Sequence, residues 1–125
     1  VPKVTAIILG DYAPCYPAFD KSWASRTKKA HPELNDALLN GLVADSEFIN
    51  LVPSLKNLNL PVLLLKAGQK NSAFPVEAIP SFQNAITKGV VDIMTDRDHD
   101  LFSPSAHKLV ERLEVFIEKI SAQTT

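Results

Sequence analysis

The protein has 125 residues, of which 46% are hydrophobic, and its 13 basic and 14 acidic side chains leave a net charge of −1. This composition is typical of a globular domain and lacks the basic excess expected for nucleic-acid binding. The sequence has no apolar run of roughly 20 residues and no signal-peptide pattern, so we expect no membrane association. The lone cysteine, Cys15, cannot form an internal disulfide and favours a reducing, cytoplasmic compartment.

The first half of the chain predicts one strand followed by a long helical insertion. Val4–Leu9 is short, β-branched and continuously apolar, which is typical of a strand covered on both faces. Pro32 suits the first turn of a helix that we predict over residues 31–48, and a shorter amphipathic piece follows over residues 49–55. Residues 12–60 are longer than one crossover helix requires, so we expect them to form a helical insertion above the sheet.

The second half predicts two more strands, each followed by a helix. The strands are Val62–Leu65 and Val90–Met94, and the helices cover residues 77–87 and 105–120, the last with a continuous apolar stripe. Strands alternating with helices are typical of a parallel sheet. We therefore predict a single α/β domain over residues 1–125, built on about three parallel strands.

Polar residues follow each predicted strand, where open parallel sheets gather their functional groups. Asp11 follows the first strand, Gln69–Ser72 the second, and Asp96–Phe102 the third. The last segment contains His99, which could act as a general base or could simply be a surface histidine among acids. These positions are the candidate site.

Three segments in order resemble the C-terminal half of an α/β-hydrolase. Ile7–Pro14 is similar to the family's sixth strand and its exit into the cap, and Val62–Gly68 to the seventh strand. Asp98–Phe102, followed by the terminal helix, resembles the loop that carries the catalytic histidine. The resemblance implies a partial hydrolase-like sheet with residues 12–60 as cap. It also implies hydrolysis of an ester or related bond in a small-molecule substrate by a Ser-His-Asp triad, with no cofactor or metal.

The resemblance implies that His99 is the base and Asp11 the acid that orients it. The commonest family pattern places an aspartate after the seventh strand, but Gln69–Ser72 contains none. Some members place the acid after the sixth strand and have a glycine-x-x-serine pattern after the seventh. Gly68–Ser72 is one residue longer than that pattern, and Asp11 stands at the alternative acid position.

The family's nucleophile elbow, glycine-x-serine-x-glycine, is absent, because none of the glycines at 10, 41, 68 and 89 brackets a serine in this way. The only methionine is Met94 and the chain begins at Val1, so we expect a piece whose nucleophile lies elsewhere and which alone is inactive. Without a neighbour, Val4–Leu9 would be an exposed apolar edge. We expect it to pair with the N-terminal segment of the same protein or with a second copy.

Aromatic residues at the start of the insertion could line the substrate pocket or simply pack the insertion onto the core. They are Tyr12, Tyr16, Phe19 and Trp23. His31 and His107 fit structural roles in helices better than catalytic ones. A packed thiol suits Cys15 better than a nucleophile. The acids between Asp96 and Asp100 do not fit a calcium loop, because that pattern requires glycine and glutamate where Leu101 and His107 stand.

Two further hypotheses remain open for the protein's function. One is a binding or interaction domain that keeps the hydrolase frame without catalysis, which the missing acid after the second strand supports. The other is a doubly wound, flavodoxin-like regulatory domain, which the long insertion disfavours. An active-serine probe separates the enzyme from the binding domain.

Overall fold

A computed structural model describes residues 3–124, which divide into two compact units. Unit 1 comprises the chain up to Ala13 and from Val52 onward, and unit 2 comprises Pro14–Leu51, inside the insertion expected at residues 12–60. The elements in chain order are β1 (Ile7–Gly10), β2 (Cys15–Tyr16), α1 (Lys21–Ala30), α2 (Asp36–Asp45), β3 (Ile49–Asn50), α3 (Val52–Leu55), β4 (Val62–Ala67), α4 (Ile79–Ala85), β5 (Gly89–Met94) and α5 (His107–Thr124).

Unit 1 is built on a three-stranded parallel sheet in the order β1-β4-β5. This confirms the predicted α/β class. The register pairs Gly10 with Leu65 and Ala67 with Met94. The carboxyl ends of all three strands therefore meet at one edge of the sheet, and the polar segments that follow them leave from that edge.

The central strand β4 is buried on both faces, and all six of its residues are buried. Leu63 and Leu65 pack with Phe116 of α5 on one face. Leu64 packs with Phe82 of α4 on the other face. Each such side chain stabilises the fold by about 2 kcal/mol relative to exposure. The continuously apolar sequence of β4 thus follows from its central place in the sheet.

Unit 2 differs in part from its prediction. The helix expected over residues 31–48 is present but shorter, as α2 over Asp36–Asp45, and a turn precedes it. Helix α1, over Lys21–Ala30, was not predicted. Asp20 caps α1 by accepting the backbone N–H of Trp23 at 2.7 Å, and Asn35 caps α2 by accepting that of Ala37 at 2.7 Å. The α1 sequence is mostly polar, so it has no apolar stripe of the kind that identified the other helices.

The boundaries of the other elements lie closer to those predicted from the sequence. The first strand begins at Ile7 rather than Val4, and the piece predicted over residues 49–55 is helical only in α3, since β3 pairs antiparallel with β2. A 3-10 turn at Val76–Ala78 precedes α4. Pro80 lies in the first turn of α4, where a missing N–H is tolerated. None of the helices described between residues 3 and 124 is long and apolar enough to cross a bilayer.

Candidate active site

Asp11 leaves the end of β1 with an unusual backbone. Its φ of 45° lies in the left-handed region, which aspartate and asparagine enter more readily than most residues. The Asp11 N–H still donates to the Leu65 carbonyl at 2.7 Å, so it continues the β1–β4 ladder. The turn directs the side chain into unit 1, where Asp11 is completely buried.

The Asp11 carboxylate accepts four hydrogen bonds. Oδ1 accepts the backbone N–H of Ala67 at 2.7 Å and lies 2.6 Å from the hydroxyl of Ser72. Oδ2 accepts the backbone N–H of Ala73 at 2.9 Å and lies 2.9 Å from Nδ1 of His99. Two donors on each oxygen satisfy the lone pairs of an ionised carboxylate. This side chain therefore connects the ends of all three strands.

Burial and hydrogen bonding act on Asp11 in opposite directions. Burial disfavours the charged form and by itself raises the pKa of the carboxyl. The hydrogen bonds from Ser72 and His99, and from the backbone of Ala73 and Ala67, outweigh it and hold the pKa below the ordinary value of 3.8. Asp11 is thus a carboxylate at neutral pH and can only accept hydrogen bonds.

His99 presents an oriented imidazole to solvent. Because ionised Asp11 has no proton to give, Nδ1 of the neutral ring must carry the hydrogen, which leaves Nε2 as an acceptor. The side chain is 51% exposed, and Nε2 has no hydrogen-bond partner within the described chain. The ring is therefore oriented through Nδ1, while Nε2 is available as a hydrogen-bond acceptor.

The loop that carries His99 is fastened to the loop after β4. Gln69 donates its backbone N–H to the Arg97 carbonyl at 3.1 Å and its side-chain Nε2 to the Thr95 carbonyl at 2.6 Å. The guanidinium of Arg97 is buried and donates to the Ser103 carbonyl. Leu101 packs into the core beneath α5. These contacts fix the position of His99 relative to Asp11.

The four aromatic residues proposed for the substrate pocket do not all belong to one unit. Tyr12 belongs to unit 1 and is exposed. Phe19 and Trp23 stack within unit 2 at a centroid distance of 4.2 Å, and Tyr16 lines an open cleft of about 370 Å³ beside Phe19. Their role toward a substrate stays a prediction.

The other titratable residues considered from the sequence have local partners. His31 ends α1 and pairs with Glu33, and His107 pairs with Glu111 along α5 at 3.1 Å. Asp100 accepts hydrogen bonds from the next turn, and Asp96 pairs with Lys108 at 2.7 Å. Within the part of the chain that the structure describes, no three His, Cys, Asp or Glu side chains are grouped so as to hold a metal ion.

Sequence reasoning missed the inner partners of Asp11. Ser72 belongs to the polar segment expected after the second strand, but its direct bond to Asp11 depends on how the loop after β4 folds back. Lys66 reads as an ordinary strand residue, yet it is buried and donates to Ser72 at 3.0 Å. A lysine within an apolar strand is the one signal that could have pointed to it.

The site is a buried aspartate paired with a half-exposed histidine at the carboxyl edge of a parallel α/β sheet. No protein-family model and no curated protein matches the sequence. Among solved structures the chain is similar to a lipase-esterase related protein from Clostridium acetobutylicum ATCC 824, with a TM-score of 0.64 and 19% identity. The match covers 93% of this chain and 57% of that one, so this chain spans a little over half of that protein's length.

Proposed function

We propose that the chain is the C-terminal part of an α/β-hydrolase and provides the base and the acid of a Ser-His-Asp triad. The observation that carries the proposal is the 2.9 Å contact between Nδ1 of His99 and Oδ2 of Asp11. The nucleophile would come from a segment outside this chain. The likeness to a longer lipase-esterase related structure and the order of the three parallel strands support the assignment.

The geometry suits acyl transfer to water. As a serine hydroxyl attacks an ester carbonyl, Nε2 of His99 would take its proton, and the imidazolium would then give that proton to the leaving alkoxide. Water would attack the acyl-enzyme by the same route, returning the serine. Asp11 would hold the productive tautomer and stabilise the imidazolium. Within this proposal unit 2 is the cap, and its aromatic residues would contact the substrate.

The test uses the native gene product, isolated with any further segment or bound partner retained. We expect a fluorophosphonate probe to label a serine and the protein to hydrolyse p-nitrophenyl acetate. His99→Ala should lower kcat by about 10³-fold or more, because both proton transfers lose their base. Asp11→Asn should lower kcat as well, because the amide no longer selects the tautomer.

His107→Ala is the matched control, since His107 is exposed and pairs with Glu111 on its own helix. Its activity should equal that of the unaltered protein. Full activity of His99→Ala would remove the assignment of the base. Absence of both labelling and hydrolysis would favour the second candidate, a binding domain on a hydrolase frame, which the lack of an acid within Gln69–Ser72 supports.

A further inference from the structure

Lys66 is a buried cation without a carboxylate beside it. Its residue is 6% exposed, and it shares a sheet face with Leu64. Nζ donates to the Ala67 carbonyl at 2.9 Å and to the Ser72 hydroxyl at 3.0 Å. Within residues 3–124, no carboxylate oxygen lies within 4.0 Å of Nζ. Burying an ammonium is costly unless its charge is compensated, so a polar partner must compensate the charge of Lys66.

Ser72 links this ammonium to the Asp11 carboxylate. Its Oγ accepts from Nζ of Lys66 and from the backbone N–H of Phe74 at 3.2 Å, which occupies both lone pairs. The single hydroxyl proton then points to an acceptor. Oδ1 of Asp11 at 2.6 Å is closer than the Phe74 carbonyl at 3.0 Å and carries charge. These three groups form a relay in which the ammonium donates to the hydroxyl and the hydroxyl donates to the carboxylate. Each hydrogen bond in the relay strengthens the next.

We propose that Lys66 is a positioning residue that acts on Asp11 through Ser72. The relay ends on Oδ1, whereas His99 uses Oδ2. Lys66 would therefore stabilise the ionised carboxylate, and fix its orientation, without competing for the oxygen that holds the imidazole. The importance of this for catalysis rests on the proposed function, but the relay between Lys66 and Asp11 does not.

Few other charges face the ammonium. Across Ser72 the titratable groups are Asp11 and, beyond it, His99. Helix α4, on the same face of the sheet, has no charged side chain, and the turn before it contributes only the exposed Glu77. A change in the titration of Asp11 after removal of Lys66 is therefore attributable to the loss of this ammonium.

The test follows the carboxyl carbon of Asp11 by ¹³C NMR as the pH is lowered, with far-UV circular dichroism to select the pH range of the folded chain. In Lys66→Met we expect the acid dissociation constant of Asp11 to fall about threefold, because the ammonium that favours the carboxylate is gone. Lys70→Met is the matched control. It removes the same charge from an exposed position in the Ser72 loop, and its titration should match the unaltered protein.

A double-mutant cycle tests the route through the hydroxyl. In a Ser72→Ala background, Lys66→Met should change the titration of Asp11 by less than half of its effect in the unaltered chain. An equal effect in both backgrounds would mean a charge acting through space and would overturn the relay. So would an unchanged Asp11 titration in Lys66→Met.

Should Lys66→Met fail to fold, Lys66→Gln replaces it, since the amide removes the charge and can still donate. The same fall in the dissociation constant is expected, and an unchanged constant contradicts the proposal. These titrations need no nucleophile or substrate. A relay found in a protein without hydrolase activity would thus refute the proposed function alone. An active enzyme in which Lys66→Met leaves the titration of Asp11 unchanged would refute this inference alone.

Discussion

At the scale of single residues, Asp11 meets two requirements at one position. Its backbone occupies the left-handed region that ends β1, and its carboxylate accepts four donors from the neighbouring segments. Glycine would meet the first requirement and glutamate only the second. Asparagine keeps the backbone preference and the shape, and it therefore isolates the contribution of the charge.

We expect Asp11→Asn to lower the free energy of unfolding by about 2 kcal/mol at neutral pH. The NH2 of the new amide would face hydrogen-bond donors, and it cannot accept their hydrogen bonds. The pKa of Asp11 is held below 3.8 in the folded chain. The stabilisation it provides is therefore fully present above 3.8 and is lost as the pH falls through the folded value. The deficit of the variant should shrink in acid.

Urea unfolding at a series of pH values measures this difference. Asp98→Asn is the control, since Asp98 is exposed in the His99 loop, and its stability should stay close to that of the unaltered protein. A deficit of Asp11→Asn that persisted undiminished in strong acid would contradict the origin in charge.

Sequence reasoning reached this pair because strand ends define where side chains gather. Asp11 directly follows β1 and His99 lies in the loop after β5, so a parallel sheet brings both segments to one edge. Ser72 lies in the loop after β4, and its direct contact with Asp11 depends on a loop path that no local pattern specifies. The same holds for Lys66, whose partner is Ser72.

At the scale of elements, the end of β4 lies very close to the loop after β5. A Cβ added at Gly68 would lie 2.5 Å from Cα of Thr95, which is backbone and has no room to move aside. We expect Gly68→Ala to destabilise unit 1 by about 2 kcal/mol or more. It should also displace the His99 loop, which is seen as loss of the Nδ1 proton signal hydrogen-bonded to Asp11.

Gly41→Ala provides the contrasting control. Gly41 lies inside α2, and an added Cβ there meets nothing within 4 Å. That variant should stabilise the protein by about 0.5–1 kcal/mol, since alanine is the better helix former. If both alanines had equal effects on urea unfolding, the close approach at Gly68 would not constrain the loop.

The elements that hydrophobic pattern defines were predictable, and those defined by capping were less so. Strand β4 and helix α5 have the apolar sequences that their burial requires, so their boundaries moved little. Helix α1 is mostly polar and depends on the Asp20 cap, and the turn after it lies within the predicted helix of residues 31–48. A cap signal without an apolar stripe was insufficient to place a helix there.

At the scale of the whole molecule, β1 is an edge of the described sheet. It is paired with β4 on one side only, and Ile8 is 43% exposed. The Ile7 N–H donates toward β4, so in a parallel ladder the Ile8 N–H points away from it. We expect this edge to associate with a second copy, or with an N-terminal segment of the same protein where one is present.

Light scattering over a dilution series should therefore show concentration-dependent association of this chain. Ile8→Pro should abolish it, because proline removes the outward donor and leaves the β4 side intact. Ile8→Ala keeps the donor and should still associate. A monomer at every concentration would contradict the prediction, as would association that Ile8→Pro does not weaken.

The hydrogen bonds between the loop after β4 and the loop after β5 have one further consequence. Within the described residues, Gln69 donates to the backbone carbonyls of Thr95 and Arg97, which every amino acid possesses. The side chain at position 95 takes no part in these two hydrogen bonds, so we expect position 95 to accept substitutions that position 69 does not. Libraries that vary the surface around His99 could thus randomise position 95 and keep the imidazole beside Asp11.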